Sequence, residues 1–431
     1  MKKFALSPAL FVVASFSFVA CGGSRPILTT RVVASQSVSS PTAFPGLVVI
    51  DGEIDTLARA SEIGAGTSPS LMTLSPDRTT LLVFDAASNN VDVVNTQRAA
   101  ELGSIQLSGP TTSMVALASG SGYAAVPAAP QNTGGPPGAV VVMNLSANSI
   151  TATINIPSAQ TVVSSPDGTQ ILVFSNDSNA VTVIYPLLVN SNSPDVVTVS
   201  GFDRPVYGVF SADGTTAYVL NCGAECGGTR ASVQPLNLGT TPPTVGPVVP
   251  VNGATIGFLA GSSLYVAGNG TPTGPLCSSI KNAAETGATY CGTLDVVDVT
   301  AMKDPYYNSP ASEIAITDGY HDRIDLSSNG QLFIGSKTCT NIGNVNNPQG
   351  EVRGCLSIFN TSNATVVIPP DNGDVTGLQS FTTRDVEYVA EGGNLRVYDT
   401  TIDSLLLNSY IETGTITIRG YVIDVKAIDF F

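Results

Sequence analysis

Few residues in this chain could do chemistry. The one histidine, His321, stands in Asp318-Gly319-Tyr320-His321-Asp322-Arg323, with Asp325 just beyond. An imidazole between carboxylates can titrate near neutrality and act as a general base, or join Asp318 and Asp322 around a cation. A second polar group, Asp203-Arg204 followed by Tyr207, is the other concentration of such side chains. Asp203, Arg204, Tyr207, Asp318, Tyr320, His321 and Asp322 are therefore the candidate ligand-binding residues. Were the chain catalytic, the residues to carry it would be His321, Asp322, Arg323, Asp203 and Arg204. A solvated polar loop, in which an Asp–Arg pair contributes under about 1 kcal/mol, accounts for the same residues and is the preferred reading. A Ser-His-Asp triad has only His321 to build on, with no serine marked as its partner. There is no G-x-S-x-G elbow, no H-E-x-x-H and no phosphate-binding G-x4-G-K-[ST] loop. Asp371-Asn372-Gly373-Asp374 lacks the remainder of an EF-hand calcium loop.

The cysteines number seven. Setting Cys21 aside, Cys222, Cys226, Cys277, Cys291, Cys339 and Cys355 remain, an even set that suits disulfides in an exported chain. Spacing favours the neighbours Cys222–Cys226, Cys277–Cys291 and Cys339–Cys355. A metal site is disfavoured, because Cys222-x3-Cys226 has no partner pair and only one histidine exists. Neither metal nor cofactor is expected.

Composition bounds the scaffold that must position these groups. Of 431 residues, 43% are apolar and only 12% charged, enough apolar material to exclude wholesale disorder. The 42 Gly and 28 Pro, with few Lys and Glu, indicate short strands and many turns. A formal charge of −15 repels phosphate backbones and argues against nucleic acid as a partner. No helical periodicity of useful length follows residue 21.

Residues 1–20 read as a secretory signal: Lys2 and Lys3, then an apolar run from Phe4 to Ala20 too short and interrupted for a membrane span. The run ends in Phe18-Val19-Ala20-Cys21-Gly22-Gly23, which resembles the lipobox of bacterial lipoproteins, although Phe18 replaces the usual Leu. The resemblance implies acylation of Cys21, palmitate-type chains included. A short tether over 21–30 would follow, then a single domain over 31–431. Three acyl chains would make a permanent anchor, since each buried methylene contributes roughly 0.8 kcal/mol. Gly22, not Asp, follows the Cys, which by analogy implies the outer membrane of a bacterial cell envelope.

Internal self-similarity is the strongest signal. Ser75-Pro76-Asp77-Arg78-Thr79-Thr80 precedes Leu81-Leu82-Val83-Phe84, just as Ser165-Pro166-Asp167-Gly168-Thr169-Gln170 precedes Ile171-Leu172-Val173-Phe174. Ser211-Ala212-Asp213-Gly214 repeats the pattern, and Ser328-Asn329-Gly330 is a degenerate copy. Pro presets one dihedral, Asp bonds its own backbone and Gly accepts positive φ, so each is a tight turn between strands. The second strand of each pair is expected to end in an exposed polar group. A further hairpin follows each, its first strand apolar at alternate positions, as in Val91-Asp92-Val93-Val94-Asn95 and Leu294-Asp295-Val296-Val297-Asp298. Units starting near 70, 112, 160, 206, 254, 321 and 376 match the roughly 40-residue period of a β-propeller blade.

Ser-Pro-Asp-Gly turns, Tyr218-Val219-Leu220-Asn221 and Leu47-Val48-Val49-Ile50-Asp51 resemble the YVTN-type repeat family of seven- or eight-bladed β-propellers. The resemblance spans about 30–431 and implies an all-β fold, a propeller of four-stranded antiparallel blades; it says little of function. Quinoprotein dehydrogenases are also propellers, but their blades depend on repeated Trp, and this chain has none.

Leftover segments suggest eight blades: Arg31 to Ser35, Leu47 to Ile50 and Thr56 to Ile63 would form strands two to four of a closing blade, with strand one from 415–431. Seven blades is the alternative. In such a ring the connections from strand two to three, and from strand four to the next strand one, share one face, here called the top. All three expected disulfides fall in strand two-to-three loops of consecutive blades. The reading is thus a non-enzymatic envelope lipoprotein whose disulfide-closed face binds a protein or small ligand. Alternatives are a lactonase-like hydrolase with its site at the channel mouth, and a scaffold for outer-membrane protein assembly.

Mass spectrometry of the mature protein tests the address and the pairing together. Acylated Cys21 and three local disulfide peptides are expected; six free thiols contradict the pairing, and an unmodified Cys21 contradicts the anchor.

Overall fold

The computed structural model describes residues 30–37, 45–130, 134–186, 195–270, 291–304, 306–339, 342–343, 352–369, 373–401, 404–411 and 420–429. The signal segment, Cys21 and Cys277 lie outside them, and with them the lipidation and the Cys277–Cys291 pairing.

The turn motif does what its chemistry demands. The hydroxyl of Ser75 donates to Asp77 Oδ1 (2.5 Å), and Ser165 and Ser211 donate likewise to Asp167 and Asp213 (2.6 Å each). The amide at the start of the following strand, or one residue before it, at Thr80, Gln170 or Thr216, donates to the same serine oxygen at 3.0, 3.0 and 3.1 Å. Position four of the turn is left-handed, with φ 69° at Gly168 and 70° at Gly214, and Arg78 takes it at 57°. In the degenerate copy the turn serine is Ser327, not Ser328: Gln331 N–H donates to Ser327 Oγ at 3.1 Å, across a turn one residue shorter.

Each motif joins the first two strands of an antiparallel sheet, four-stranded except in blade 4, where the outer edge is split in two. Blade 1 runs Pro69–Leu74, Thr80–Asp85, Asn90–Asn95 and Ala100–Gln106. Blade 2 comprises Ser113–Ala116, Ser121–Val126, Ala139–Asn144 and Ser149–Asn155. Blade 3 follows with Ala159–Ser164, Ile171–Ser175, Ala180–Tyr185 and Asp195–Ser200. Blade 4 has Pro205–Phe210, Thr216–Asn221 and Ser232–Asn237, its outer edge split into Thr244–Val245 and Val249–Pro250. Blade 5 is Ile256–Ala260, Ser263–Gly270, Cys291–Asp298 and Ser312–Ile316. Blade 6 is Tyr320–Leu326, Gln331–Lys337, Leu356–Asn360 and Thr365–Val367, with a small hairpin, Ile342–Gly343 and Val352–Arg353, in its strand two-to-three loop. Blade 7 is Val375–Ser380, Val386–Glu391, Asn394–Asp399 and Ser404–Ile411.

Blade 8 is composite. Tyr421–Asp429 pairs with Thr30–Ser37, which pairs with Leu47–Asp51, which pairs with Thr56–Ile63. The fold is therefore an all-β, eight-bladed propeller whose C-terminal strand is the inner strand of the N-terminal blade.

The cores lie between blades. Eight clusters of buried residues each draw on two neighbouring sheets, from Leu82 and Phe84 against Ala124 and Val126, round to Ala34 and Ile50 against Tyr388 and Val397. Middle strands are thus buried on both faces, which corrects the expected alternation: Val140, Val141, Val142 and Met143 are all enclosed. The same packing corrects the expected exposed polar strand ends. Asp85, Asn221, Ser336 and Glu391 are buried; the first three tie loops down, and Glu391 accepts from the Tyr398 hydroxyl of the next strand. Asp85 accepts from the Ser68 amide at 2.8 Å, and Asn221 Oδ1 accepts from the Asp203 amide at 3.2 Å.

Polar links stitch the closing blade to both neighbours. Arg384 of blade 7 makes a two-pronged pair with Asp55 of blade 8 (2.7 and 2.9 Å), and Tyr388 donates to the same carboxylate. Asp424 accepts from the Met72 amide of blade 1 at 2.9 Å. One buried acid pair faces across blades 6 and 7. Glu387 of blade 7 is fully enclosed and faces Asp325 of blade 6. Burial, then the Asp325 charge and hydrogen bond, push Glu387 well above the usual carboxylate range; Asp325 is itself raised by burial, against donors from Ser380 and Leu326 and then the Lys426 charge.

Two outcomes follow. Ser165→Ala costs about 1 kcal/mol in denaturant unfolding through loss of both hydroxyl bonds, whereas Ser119→Ala, at an exposed turn on the same face, stays within about 0.5 kcal/mol. Because native Glu387 holds its proton above the unfolded value near 4.3, stability falls as pH rises from there through the folded value. Glu387→Gln removes that slope, raising the melting temperature at pH 8 by about 2 °C or more and matching the parent near pH 4. A variant less stable than the parent at pH 8 would contradict it.

Candidate functional site

The top face is built from strand two-to-three loops and strand one entries, and among the described residues two of its loops are closed by disulfides. Cys222–Cys226 bridges blade 4 and Cys339–Cys355 bridges blade 6, with Cα separations of 5.6 and 5.5 Å. Between the first pair, a 3-10 turn over Gly223–Cys226 presents Glu225 towards blade 5. Glu225 Oε2 and Oε1 accept from the backbone and side-chain N–H groups of Asn269, each at 3.0 Å, and the same amide donates to the Gly319 carbonyl at 2.8 Å. One clamp thereby joins the tops of blades 4, 5 and 6. Burial raises the Glu225 carboxyl, against the two Asn269 donors.

The sequence clusters converge on this region, but most of their polar atoms are engaged in holding it together. Burial raises the Asp203 carboxyl, yet donors from Thr229 and Arg230 outweigh it and leave the group below its ordinary value. Those bonds, from the Thr229 amide (2.9 Å), the Thr229 hydroxyl and the Arg230 amide (3.0 Å), fasten the disulfide loop of blade 4. Arg204 pairs with Asp177 across 2.9 Å. Tyr207 packs its ring into the cores on either side of blade 5, where burial raises its hydroxyl and Arg323 opposes. Asp318 lends its carbonyl to the Ser336 hydroxyl at 2.8 Å.

His321 departs from expectation. It is fully enclosed, its Nε2–H donates to the Thr317 carbonyl at 2.9 Å, and Nδ1 has no hydrogen-bond partner. Burial drags its pKa to about 4, outweighing the Thr317 carbonyl and the charges of Asp318 and Asp322. It is neutral at pH 7, not poised near neutrality as its flanking carboxylates suggest, because strand Tyr320–Leu326 turns the ring into protein. The register shift at Asp322 separates the neighbours. Asp322 receives Lys337 Nζ at 2.6 Å and lies 3.3 Å from Arg323 NH1, while Arg323 Nε donates to the Thr376 carbonyl at 2.7 Å.

Tyr320 points the other way. It is 48% exposed, and burial of its hydroxyl end, with the Asp322 and Glu225 charges, raises its pKa against the Arg323 charge. With Gln160, Asn176, Asp177, Arg204, Val206 and others it lines a cavity of about 520 Å³. These residues come from strand one entries of blades 3, 4 and 6 and from strand two-to-three loops, so the cavity is the top mouth of the channel. Of the sequence candidates, Arg204 and Tyr320 line it. Gln160, Asn176, Asp177, Glu225, Asn269 and Lys337 were not singled out for the site; Glu225, set between two cysteines, carried the one usable signal. No group of three or more metal-ligating side chains occurs among the described residues.

No protein-family model matches the chain, and no curated protein matches it. Solved structures do. Dihydro-heme d1 dehydrogenase NirN in complex with DHE is 11% identical, covering 94% of this chain and 75% of that one, with a TM-score of 0.61. A eukaryotic initiation factor is 12% identical over 93% of this chain and 98% of its own, TM-score 0.54. A candidate 6-phosphogluconolactonase from Bacteroides fragilis is 11% identical over 93% and 98%, TM-score 0.53. Such distant likeness establishes the propeller fold that these proteins share with this chain, and nothing of its chemistry.

Proposed function

We propose that this chain is a non-catalytic protein of the bacterial cell envelope, anchored by lipid on Cys21, that holds a ligand on its disulfide-closed top face. The observation that carries the reading is the clamped mouth: a cavity of about 520 Å³ next to loops fixed by Cys222–Cys226, Glu225 and Asn269. Rigid loops around a preformed concavity reduce the ordering cost of binding. Against a lactonase-like hydrolase stands the state of the acid–base candidates. His321 is enclosed and neutral, Asp203 is spent on three loop donors, and Asp322 is held by Lys337. A general base needs reach to a substrate proton as well as a matched pKa. Assembly of outer-membrane proteins stays a third reading, which no observed feature favours.

Site-specific photo-crosslinking tests the face. Benzoylphenylalanine in place of Tyr320, at the top, should give adducts in intact cells, and the same group in place of Ser119, on the opposite face, should not. Adducts confined to position 119, or none at either, contradict the platform. Lactone hydrolysis tests the rival. The parent should open δ-lactones no faster than buffer; a rate present in the parent and lost in a folded His321→Ala/Asp322→Ala variant would overturn the non-catalytic reading.

A further inference from the structure

The lining of the mouth is unusual in its balance. Asn176 Nδ2 donates to Gln160 Oε1 at 3.2 Å, a bond that engages neither the Gln160 amide hydrogens nor the Asn176 carbonyl oxygen. Beside this amide pair sits the Arg204–Asp177 ion pair, joined through one guanidinium nitrogen and one carboxylate oxygen, with the Asp177 side chain 88% exposed. Each pair offers both donors and acceptors, and the charges cancel. Backbone holds the ion pair in place: Arg204 and Asp177 both sit at left-handed φ (57° and 60°), with the Arg204 amide donating to Asn179 Oδ1 at 3.1 Å and its carbonyl accepting from Cys222 at 3.0 Å. For an arginine such a conformation costs roughly 1–2 kcal/mol, and it persists because its neighbours fix it. Tyr320 completes the wall with a half-exposed aromatic ring.

We infer that the mouth cavity is a site for a neutral saccharide, with a sugar ring against Tyr320 and its hydroxyls on the Gln160–Asn176 and Arg204–Asp177 pairs. This deepens the platform reading and rests on it. A hydroxyl is donor and acceptor at once, so adjacent hydroxyls satisfy paired groups of both kinds. An anion meets Arg204 with the Asp177 carboxylate 2.9 Å away, on a chain of net charge −15. A cation meets, among the described lining residues, one carboxylate, Asp177, and the Arg204 guanidinium beside it. A wholly apolar ligand would leave the amide pair unpaired on desolvation, a cost of about 1–3 kcal/mol per group. The volume of about 520 Å³ falls within the usual range for small-ligand pockets.

The test is calorimetry of the purified protein with maltose, cellobiose and lactose, against gluconate and galacturonate as charged counterparts. At least one neutral disaccharide should bind, with a Kd that changes less than about twofold between about 50 mM and 500 mM salt. Asn176→Ala and Tyr320→Ala should each weaken it about tenfold while the melting temperature stays with the parent; Gln160→Asn serves as the conservative control if either variant fails to fold. Binding only of the sugar acids with strong salt dependence, no saccharide binding at all, or binding indifferent to these variants would each overturn the assignment. Failure here with adducts still formed at position 320 removes the ligand class and leaves the platform standing; failure of both removes the platform.

Discussion

The structure depends on apolar packing between neighbouring blades. No blade buries its own faces: the middle strands of each sheet, rich in apolar side chains, have a neighbouring blade on either side. A fully buried Val or Leu contributes roughly 1.5–3 kcal/mol, against about 1 kcal/mol for a partly exposed ion pair such as Arg384–Asp55. Packing therefore decides that the blades associate, and polar links decide their register. Such an arrangement leaves two faces bare unless it closes. Here it closes, with Val422, Val425 and Ala427 of the last strand enclosed between the first and last sheets of the chain.

From this constraint the character of the top face follows. Inner strands are fixed from both sides, so their entry residues, Gln160, Arg204 and Tyr320 among them, are held in place around the channel. Loops between strands two and three stand outside the packed ring and need their own fastening. In blade 4 it comes from a disulfide, the Asp203 acceptor and the Glu225–Asn269 clamp; in blade 6, from a disulfide and Lys337–Asp322. Acidic side chains that resemble a reactive cluster in the sequence act largely as loop anchors.

Local chemistry was legible in the sequence, and long-range burial was not. The Ser-Pro-Asp-Gly turns, the blade period and the composite closing blade are all written in short-range pattern: a turn residue does the same work wherever it stands. The disulfides of blades 4 and 6 were legible from spacing. What eluded reading was direction. Strand alternation sends Tyr320 and His321 to opposite sides, but nothing in Tyr320-His321-Asp322 says which side is protein and which is solvent, because that depends on the neighbouring blades. Asp85 and Asn221 read as exposed caps because the partners that bury them, Ser68 and Asp203, stand a strand away at the entry of the preceding strand. The blade 3 part of the cavity lining, Gln160, Asn176 and Asp177, has no motif of its own.

Native-state hydrogen exchange of the closing strand, Tyr421–Asp429, tests the central claim most directly. If inter-blade packing closes the ring, the amides of Val422, Val425 and Ala427 exchange only with global unfolding, at the same free energy as those of Val32 and Ala34 opposite them. Exchange of the C-terminal amides at a much lower free energy, with the remaining blades still protected, would show an open ring and contradict the account.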